Sequence, residues 1–125
     1  YVLDVPVDER LEGTSATVAL SIAAGADIVV AHMGLTTKGT IGATTAMTLE
    51  QSPAYVQTIC DAARGVNPEV IVLCHGGPIS EPEDAEYVLQ NTTGVNGFYG
   101  ASSMERLPVE VAITEQIRRF VEIRR

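Results

Sequence analysis

The chain has 125 residues, which suits a single domain, and its 46% hydrophobic content is enough for a folded core, so a disordered chain is excluded. It has 16 acidic and 8 basic residues and a net charge of -8, which argues against binding to nucleic acid or an anionic membrane. The basic residues are scattered except for a cluster at the end of the chain, which we interpret as compensation of a helix dipole: Arg118, Arg119, Arg124 and Arg125. No window approaches the ~20 apolar residues of a membrane span, and nothing resembles a cleavable signal peptide. We therefore expect a cytoplasmic protein with no membrane and no nucleic-acid partner.

Continuous apolar runs predict the strands. Residues 27–34 (DIVVAHMG) and 69–77 (EVIVLCHGG) are apolar without alternation, which is typical of strands buried on both faces of a parallel sheet. Both runs end in His with Gly close behind. Residues 95–102 form a shorter run that closes on small residues, and residues 1–5 form a fourth candidate, interrupted by Pro6.

Helical patterns with start and stop signals lie between these runs. Residues 15–24 are rich in Ala, and Gly25 is placed to end that helix. Ser52 followed by Pro53 predicts the N-cap and first residue of a helix that runs to Gly65. The two cysteines lie in this second helix and in the second apolar run without CxxC spacing, so reduced structural thiols are expected.

Two further helices complete the pattern. Ser80 and Glu83 have the spacing of a capping box, and Pro108 is expected to begin a helix that continues to the end of the chain. The order is a strand and a helix, four times over, which predicts right-handed βαβ units with a parallel sheet.

Four such units are half of a (β/α)8 TIM barrel, so residues 1–125 are interpreted as one partial domain, the C-terminal half of such a barrel. An open doubly wound sheet is the competing architecture, although no G-x-G-x-x-G turn follows the first strand. A half barrel has two unpaired strand edges that the rest of the chain or another copy must cover, so a homo-oligomer is expected.

Functional residues of parallel α/β folds follow the strands, which directs attention to His32 and His75. If their strands are neighbours, about 4.8 Å apart, both imidazoles reach one ligand and suit acid/base work or oxyanion stabilisation. The structural alternative is a His held by loop carbonyls. A two-His metal site needs a carboxylate such as Glu105, and the spacing does not require one, so no metal ligand is predicted.

Small residues after the third and fourth strands indicate an anion site. In many barrels these two loops bind phosphate through backbone N–H groups and the start of a short helix. Arg106 is interpreted either as a charged clamp or as a partner of Glu105, and Ser102 with Glu105 also has the spacing of a helix cap. The candidate catalytic residues are His32, His75 and Glu105, and the candidate substrate- or phosphate-binding residues are Gly34, Gly76, Gly77, Gly100, Ser102, Ser103 and Arg106.

The longest predicted loop, residues 33–49, follows the His32 strand. Its glycines permit hinge motion, and its length is typical of an active-site lid. Lys38 is positioned either to meet a substrate anion or to lie in solvent.

Three segments together are more specific than any single motif: ADIVVAHMGLTT (26–37), VLCHGGPI (72–79) and GFYGASSMERLP (97–108). They closely resemble the phosphoenolpyruvate hydrolase-like TIM-barrel family, which also includes a domain of a plant tobamovirus-resistance protein, and the resemblance covers about residues 25–125. It implies a barrel of the phosphoenolpyruvate/pyruvate superfamily, of which this chain holds the last four units. In that superfamily a divalent metal, usually Mg²⁺, is held by carboxylates on earlier strands, which lie outside this chain.

The resemblance gives two hypotheses for the function. In the preferred one, the full-length protein is an enzyme, a hydrolase or lyase that hydrolyses or cleaves a small phosphorylated or carboxylated enol or keto-acid substrate. In the alternative, the barrel is a non-catalytic module that binds a protein partner or senses a ligand, as in the plant virus-resistance relative.

Overall fold

The computed structural model describes residues 2–6, 18, 20–40, 42 and 47–123. The predicted helix at 15–24 is described only at 18 and 20–24, of which 18 and 20–23 are helical, and residues 41 and 43–46 of the predicted lid lie outside the described residues. The elements, in chain order, are β1 (Val2–Pro6), β2 (Ile28–His32), α1 (Ser52–Val66), β3 (Ile71–His75), α2 (Pro82–Gln90), β4 (Gly97–Phe98) and α3 (Arg106–Val121).

The four strands form one sheet in the order β1-β2-β3-β4, and every neighbouring pair is parallel. A doubly wound sheet reverses its strand order at a switch point, whereas these strands follow chain order without a reversal. The chain is therefore a mixed α/β structure with a parallel sheet, consistent with part of a TIM barrel.

The core lies between one face of the sheet and the helices. Val29 and Ala31 of β2 and Val72 and Cys74 of β3 are buried in it, and alternation along the strands turns their neighbours to the opposite face of the sheet. The buried side chains of α1 that complete the helical side of this core are Val56, Ile59, Cys60 and Ala63.

Gly25 ends the helix before β2 as predicted, whereas the N-cap of helix α1 lies one residue before the predicted one. Gly25 has φ +101°, and the Schellman pair of hydrogen bonds joins its N–H to Ile22 and that of Ala26 to Ser21. Helix α1 begins at Ser52, with Gln51 rather than Ser52 as its N-cap. The Ser52 hydroxyl instead donates to the Thr48 carbonyl at 3.1 Å.

The predicted capping box of α2 is shifted by one residue. Glu81, not Ser80, is the N-cap, and its partner is Asp84, not Glu83. The Asp84 carboxylate accepts the backbone N–H of Glu81 at 2.9 Å and that of Ser80 at 3.2 Å. The shorter Asp side chain thus reaches back over two residues.

The last strand is shorter than the predicted run and the last helix starts earlier. Only Gly97–Phe98 pairs with β3. Helix α3 begins at Arg106, so Pro108 falls within the first turn, where its missing N–H has no intrahelical acceptor to lose.

Helix α3 leaves an apolar face open to solvent. Leu107 is its buried residue, while the helix carries more than half-exposed apolar side chains at Val109, Ile113, Ile117, Phe120 and Val121. Over the described residues, none of the helices combines the length and the apolar composition needed to cross a bilayer.

Candidate functional site at the carboxyl edge of the sheet

The two histidines lie side by side where β2 and β3 end. The parallel register pairs His32 directly with His75, and their imidazole centroids are 4.7 Å apart with the ring planes inclined by 50°. Because the preceding residues, Ala31 and Cys74, face the helices, both imidazoles lie on the other face of the sheet. The tertiary structure therefore brings together the two histidines that the sequence singled out.

A backbone carbonyl holds each imidazole. His75 Nδ1 lies 2.6 Å from the carbonyl oxygen of Tyr99, and His32 Nε2 lies 2.9 Å from that of Gly34. A carbonyl oxygen only accepts, so the bonded ring nitrogen carries the proton in each histidine. Neutral His75 therefore has Nε2 as its basic nitrogen, and no described residue is hydrogen-bonded to it.

Gly76 and Gly77 make the turn after β3 with left-handed backbone, at φ +71° and +59°. A Cβ on Gly76 would collide with the carbonyl oxygen of Gly34 and would lie 2.9 Å from Cδ2 of the His32 ring. A Cβ on Gly77 would collide with the Met33 carbonyl. Glycine is required here because the turn passes directly against the end of β2.

The N–H of Gly77 is already engaged. It donates to the Gly34 carbonyl at 2.6 Å, the same carbonyl that lies beside His32 Nε2, so in this conformation it does not face a ligand as the sequence suggested. The Gly77 carbonyl accepts the N–H of Thr37 at 3.1 Å and its hydroxyl at 3.4 Å. The turn therefore ties the loop after β2 to the histidine pair.

Ser102 and Ser103 occupy the turns immediately before α3. The Ser102 carbonyl accepts the N–H groups of Arg106 at 3.1 Å and Leu107 at 2.9 Å, so these turns lead directly into the helix. Among the described residues, neither serine N–H has a backbone acceptor, and both side chains are half-buried. The pair lies at the positive end of the α3 dipole, where an anion is stabilised.

Gly100 and Glu105 flank the serines. The Met104 side chain packs on Gly100, where a Cβ would lie 2.8 Å from its sulfur. Glu105 is the N-cap of α3 with an exposed side chain and no capping hydrogen bond, so the capping box considered for Ser102 and Glu105 is not formed.

The described residues do not fit a magnesium ion. Among them, no group of three or more His, Cys, Asp and Glu side chains is close enough to hold a metal, so Glu105 does not join His32 and His75 in a metal site. Magnesium takes oxygen ligands in octahedral geometry, whereas this edge of the sheet presents two imidazoles and backbone groups.

Lys38 is held by the first turn of α2. Its Nζ forms an ion pair with Asp84 Oδ2 at 2.8 Å, on the carboxylate that also caps the helix. Burial opposes ionisation of this carboxyl, but hydrogen bonds from Lys38 and from the N–H groups of Glu81 and Ser80 outweigh it and keep the pKa of Asp84 below its usual value.

Arg106 is held by its own helix and by the loop after β2. It donates from Nη1 to Glu110 at 2.8 Å and from Nη2 to the Lys38 carbonyl at 3.0 Å, so its carboxylate partner is Glu110 rather than Glu105. Glu110 also accepts the N–H of Thr40 at 2.5 Å. Hydrogen bonds from Thr40, and then from Arg106, lower the pKa of Glu110.

A cavity of about 360 Å³ lies between this loop and α3, away from the histidine pair. Glu81, Glu110 and Glu115 contribute three carboxylates to its lining, beside the cations of Lys38 and Arg118. An anion is poorly matched to this mixture, so the histidine edge is the better candidate site.

Sequence reasoning assigned no role to Asp84 and Glu110, and it included Thr37 only as one residue of the predicted loop after the His32 strand. Thr37 and Glu110 make their contacts across the fold, so no local spacing marks them. Asp84 did carry a local signal, because its three-residue spacing from Glu81 is that of a capping box.

The fold and the site together define a parallel α/β unit, consistent with part of a TIM barrel, with paired histidines and small residues at the carboxyl edge of its strands. Residues 14–123 match the family described as phosphoenolpyruvate hydrolase-like, and the chain belongs to this family. The match begins upstream of the segments that first indicated it.

Curated relatives come from a plant and a bacterium. The chain is 67% identical over 100 residues to the ToMV susceptible protein tm-1(GCR26) of Solanum lycopersicum and 66% identical over 100 residues to the ToMV resistance protein Tm-1(GCR237) of the same plant. These alignments cover 80% of this chain and 13% of each tomato protein. The "Putative transcriptional regulatory protein y4pA" of Sinorhizobium fredii is 32% identical over 94 residues, covering 75% of this chain and 15% of that protein.

Proposed function

We propose that the full-length protein is an enzyme that binds a small phosphorylated or carboxylated enol or keto acid at the carboxyl edge of a barrel and hydrolyses it or cleaves a bond in it. In this proposal the chain supplies the last four βα units of the barrel. The observation that carries it is the paired imidazoles of His32 and His75, 4.7 Å apart on adjacent strands. Membership of the phosphoenolpyruvate hydrolase-like family supports the substrate class.

His75 is the proposed general base. Its Nδ1–H is anchored on the Tyr99 carbonyl, which leaves the basic Nε2 to take a proton from water or from the substrate. The His32 ring contacts the His75 ring. In its protonated form, His32 stabilises the negative charge that develops on the substrate in the transition state. Protonated His75 then returns its proton to the leaving group, and Glu105, exposed at the start of α3, remains the third proposed catalytic group.

The anion is proposed to lie between the histidines and the start of α3. The N–H groups of Ser102 and Ser103 and the positive end of the helix dipole supply its charge stabilisation. The glycines of the three loops are proposed to line the site without contributing charge, and they are Gly34, Gly76, Gly77 and Gly100. At Gly76 and Gly77 the missing side chain lets the turn after β3 pack against the end of β2.

Titration of the full-length protein with phosphate, phosphoenolpyruvate and pyruvate tests this site. We expect amide shifts at Ser102, Ser103 and Gly76 that saturate with ligand, followed by release of phosphate or cleavage of the keto acid in an activity screen. His75→Asn is expected to retain binding of phosphate while turnover is lost. No shift with any of these ligands would remove the anion site from consideration.

A non-catalytic barrel that senses a ligand or binds a protein partner is the second candidate. Two observations favour it: both imidazoles have the carbonyl contacts of a structural histidine, and the relatives are named as resistance and regulatory proteins rather than as enzymes. Saturable binding without turnover of any enol phosphate or keto acid, in wild type as in His75→Asn, would select this candidate.

We also propose a homo-oligomer and a cytoplasmic location. The exposed apolar face of α3 and the edges of the sheet at β1 and β4, where no further described strand pairs, support association with another copy or with the rest of the barrel. Cys60 and Cys74 are both free and buried, which suits a reducing compartment. Light scattering of the purified protein and fractionation of its cells test these two points.

A further inference from the structure

We propose that Arg106 and Glu110 are positioning residues that fasten the 34–40 loop across the carboxyl edge of the sheet and so assemble the anion site, without contact between Arg106 and the anion. This inference rests on the proposed anion site. It assigns to Arg106 a role different from the charged clamp that its place after Ser102 and Ser103 suggests.

The 34–40 loop is fixed to the site at its beginning. The carbonyl of Gly34 lies beside His32 Nε2 and accepts the N–H of Gly77, and Thr37 donates twice to the Gly77 carbonyl. The orientation of the His32 ring and the path of the turn after β3 therefore depend on where this loop lies.

Arg106 and Glu110 fix the end of the same loop. Arg106 donates to the Lys38 carbonyl at 3.0 Å, and Glu110 accepts the N–H of Thr40 at 2.5 Å. The Arg106 and Glu110 side chains are joined at 2.8 Å and are only 23% and 20% exposed. Nη1 and Nη2 of Arg106 both donate to protein groups, and the Glu110 carboxylate balances the charge of the guanidinium. Arg106 is therefore poorly placed to bind an anion as well.

Close packing at Gly39 indicates that this fastening is tight. Gly39 has φ +94°, and a Cβ there would collide with the guanidinium of Arg106 and lie 2.8 Å from the Glu110 carboxylate. Lys38 and Asp84 add a second attachment on the side of α2, at 2.8 Å. The loop thus links the residues that follow β2, β3 and β4, which are the three segments of the proposed anion site.

The experiment compares Arg106→Gln with Glu110→Gln in the full-length protein, using inorganic phosphate as the ligand. The two hypotheses for Arg106 predict opposite results for Glu110→Gln. If Arg106 clamps the anion, loss of the competing carboxylate leaves phosphate binding unchanged or tighter. If both residues position the loop, each substitution weakens phosphate binding by about tenfold, the scale of a coupled conformational equilibrium.

Hydrogen exchange at the Thr37 N–H supplies a second measurement, because this N–H donates to the Gly77 carbonyl and not to either substituted residue. We expect both variants to speed its exchange, and the double variant to resemble either single one, because each substitution breaks the Arg106–Glu110 ion pair that joins the two hydrogen bonds to the loop. Arg119→Gln, in the last turn of α3, and Glu122→Gln, at its C-cap, are the matched controls: they make the same changes at exposed residues with no hydrogen bond to the loop among the described residues, and should change neither measurement.

The outcomes separate this inference from the proposed function. Weaker phosphate binding with faster Thr37 exchange in both variants supports the positioning role. Weaker binding in Arg106→Gln alone overturns it and returns Arg106 to the anion, with the anion site intact. If the wild type binds no phosphate, the proposed function fails, and Thr37 exchange then decides: unchanged exchange in both variants overturns the positioning role as well.

Discussion

His32 and His75 face each other across the β2–β3 register with their imidazole centroids 4.7 Å apart, and each is oriented by a carbonyl from a different loop. Gly34 supplies one of these carbonyls and Tyr99 the other. The orientation of the two rings therefore depends on the placement of both loops. Substitutions in those loops are expected to change the orientation of the histidines as well as the stability of the fold.

The two functions of the His75 ring can be separated. Asn has an amide N–H in place of Nδ1–H and can keep the bond to the Tyr99 carbonyl, but it lacks the basic nitrogen. If the protein is an enzyme, His75→Asn is expected to lower kcat by about 10²- to 10⁴-fold with an unchanged melting temperature. His75→Phe removes both functions and should also shift the Tyr99 amide signals. Full kcat in His75→Asn would contradict its role as base.

Gly76→Ala is expected to destabilise the protein more than Gly25→Ala. Both glycines have positive φ, which costs an alanine about 1–2 kcal/mol. Gly25 has open space around its Cβ position, whereas Gly76 meets the Gly34 carbonyl and the His32 ring, so about 1–3 kcal/mol more is expected there. Urea unfolding measures both, and equal losses would show that the turn after β3 relaxes freely.

Stability is expected to depend on the ionisation of Asp84. Although burial opposes its ionisation, bonds from Lys38, Glu81 and Ser80 keep its folded-state pKa below the usual value. The stabilisation is therefore fully present above the unfolded-state pKa of about 4 and is lost as the pH falls through the lower folded-state value. Asp84→Asn should cost about 1 kcal/mol at pH 7 and progressively less below pH 4.

Glu83→Gln is the matched control for Asp84→Asn. It lies in the same helical turn and takes no part in the capping box. Urea midpoints measured between pH 7 and pH 3 should show little change for this variant. A loss at Glu83 as large as that at Asp84 would contradict the assigned capping pair.

Both thiols are expected to be unreactive in the folded protein. Burial raises the pKa of Cys74 to about 11 and raises that of Cys60 as well, so little thiolate exists at pH 8. A colorimetric thiol assay should detect both cysteines in guanidinium chloride and neither, on the same timescale, under native conditions. Rapid native reaction of Cys74 would mean that the sheet and α1 separate readily.

Local sequence patterns predicted most of the fold because the physics involved is local. Apolar runs without alternation marked β2 and β3 as strands of a parallel sheet, and the chemistry of Gly25 marked a helix end. Three predicted helix starts shifted, those of α1, α2 and α3. The reach of the Asp84 carboxylate settled one of them.

The sequence by itself determined which side chains follow the strands, since strand polarity and side-chain period place His32 and His75 at the carboxyl edge once the runs are recognised. Only the tertiary structure decided what those side chains contact. The Gly77 N–H donates to the Gly34 carbonyl, and the Arg106 guanidinium donates to the Glu110 carboxylate and to the Lys38 carbonyl. Such partners depend on how loops distant in sequence pack together, because a buried donor takes whichever acceptor the fold brings within reach.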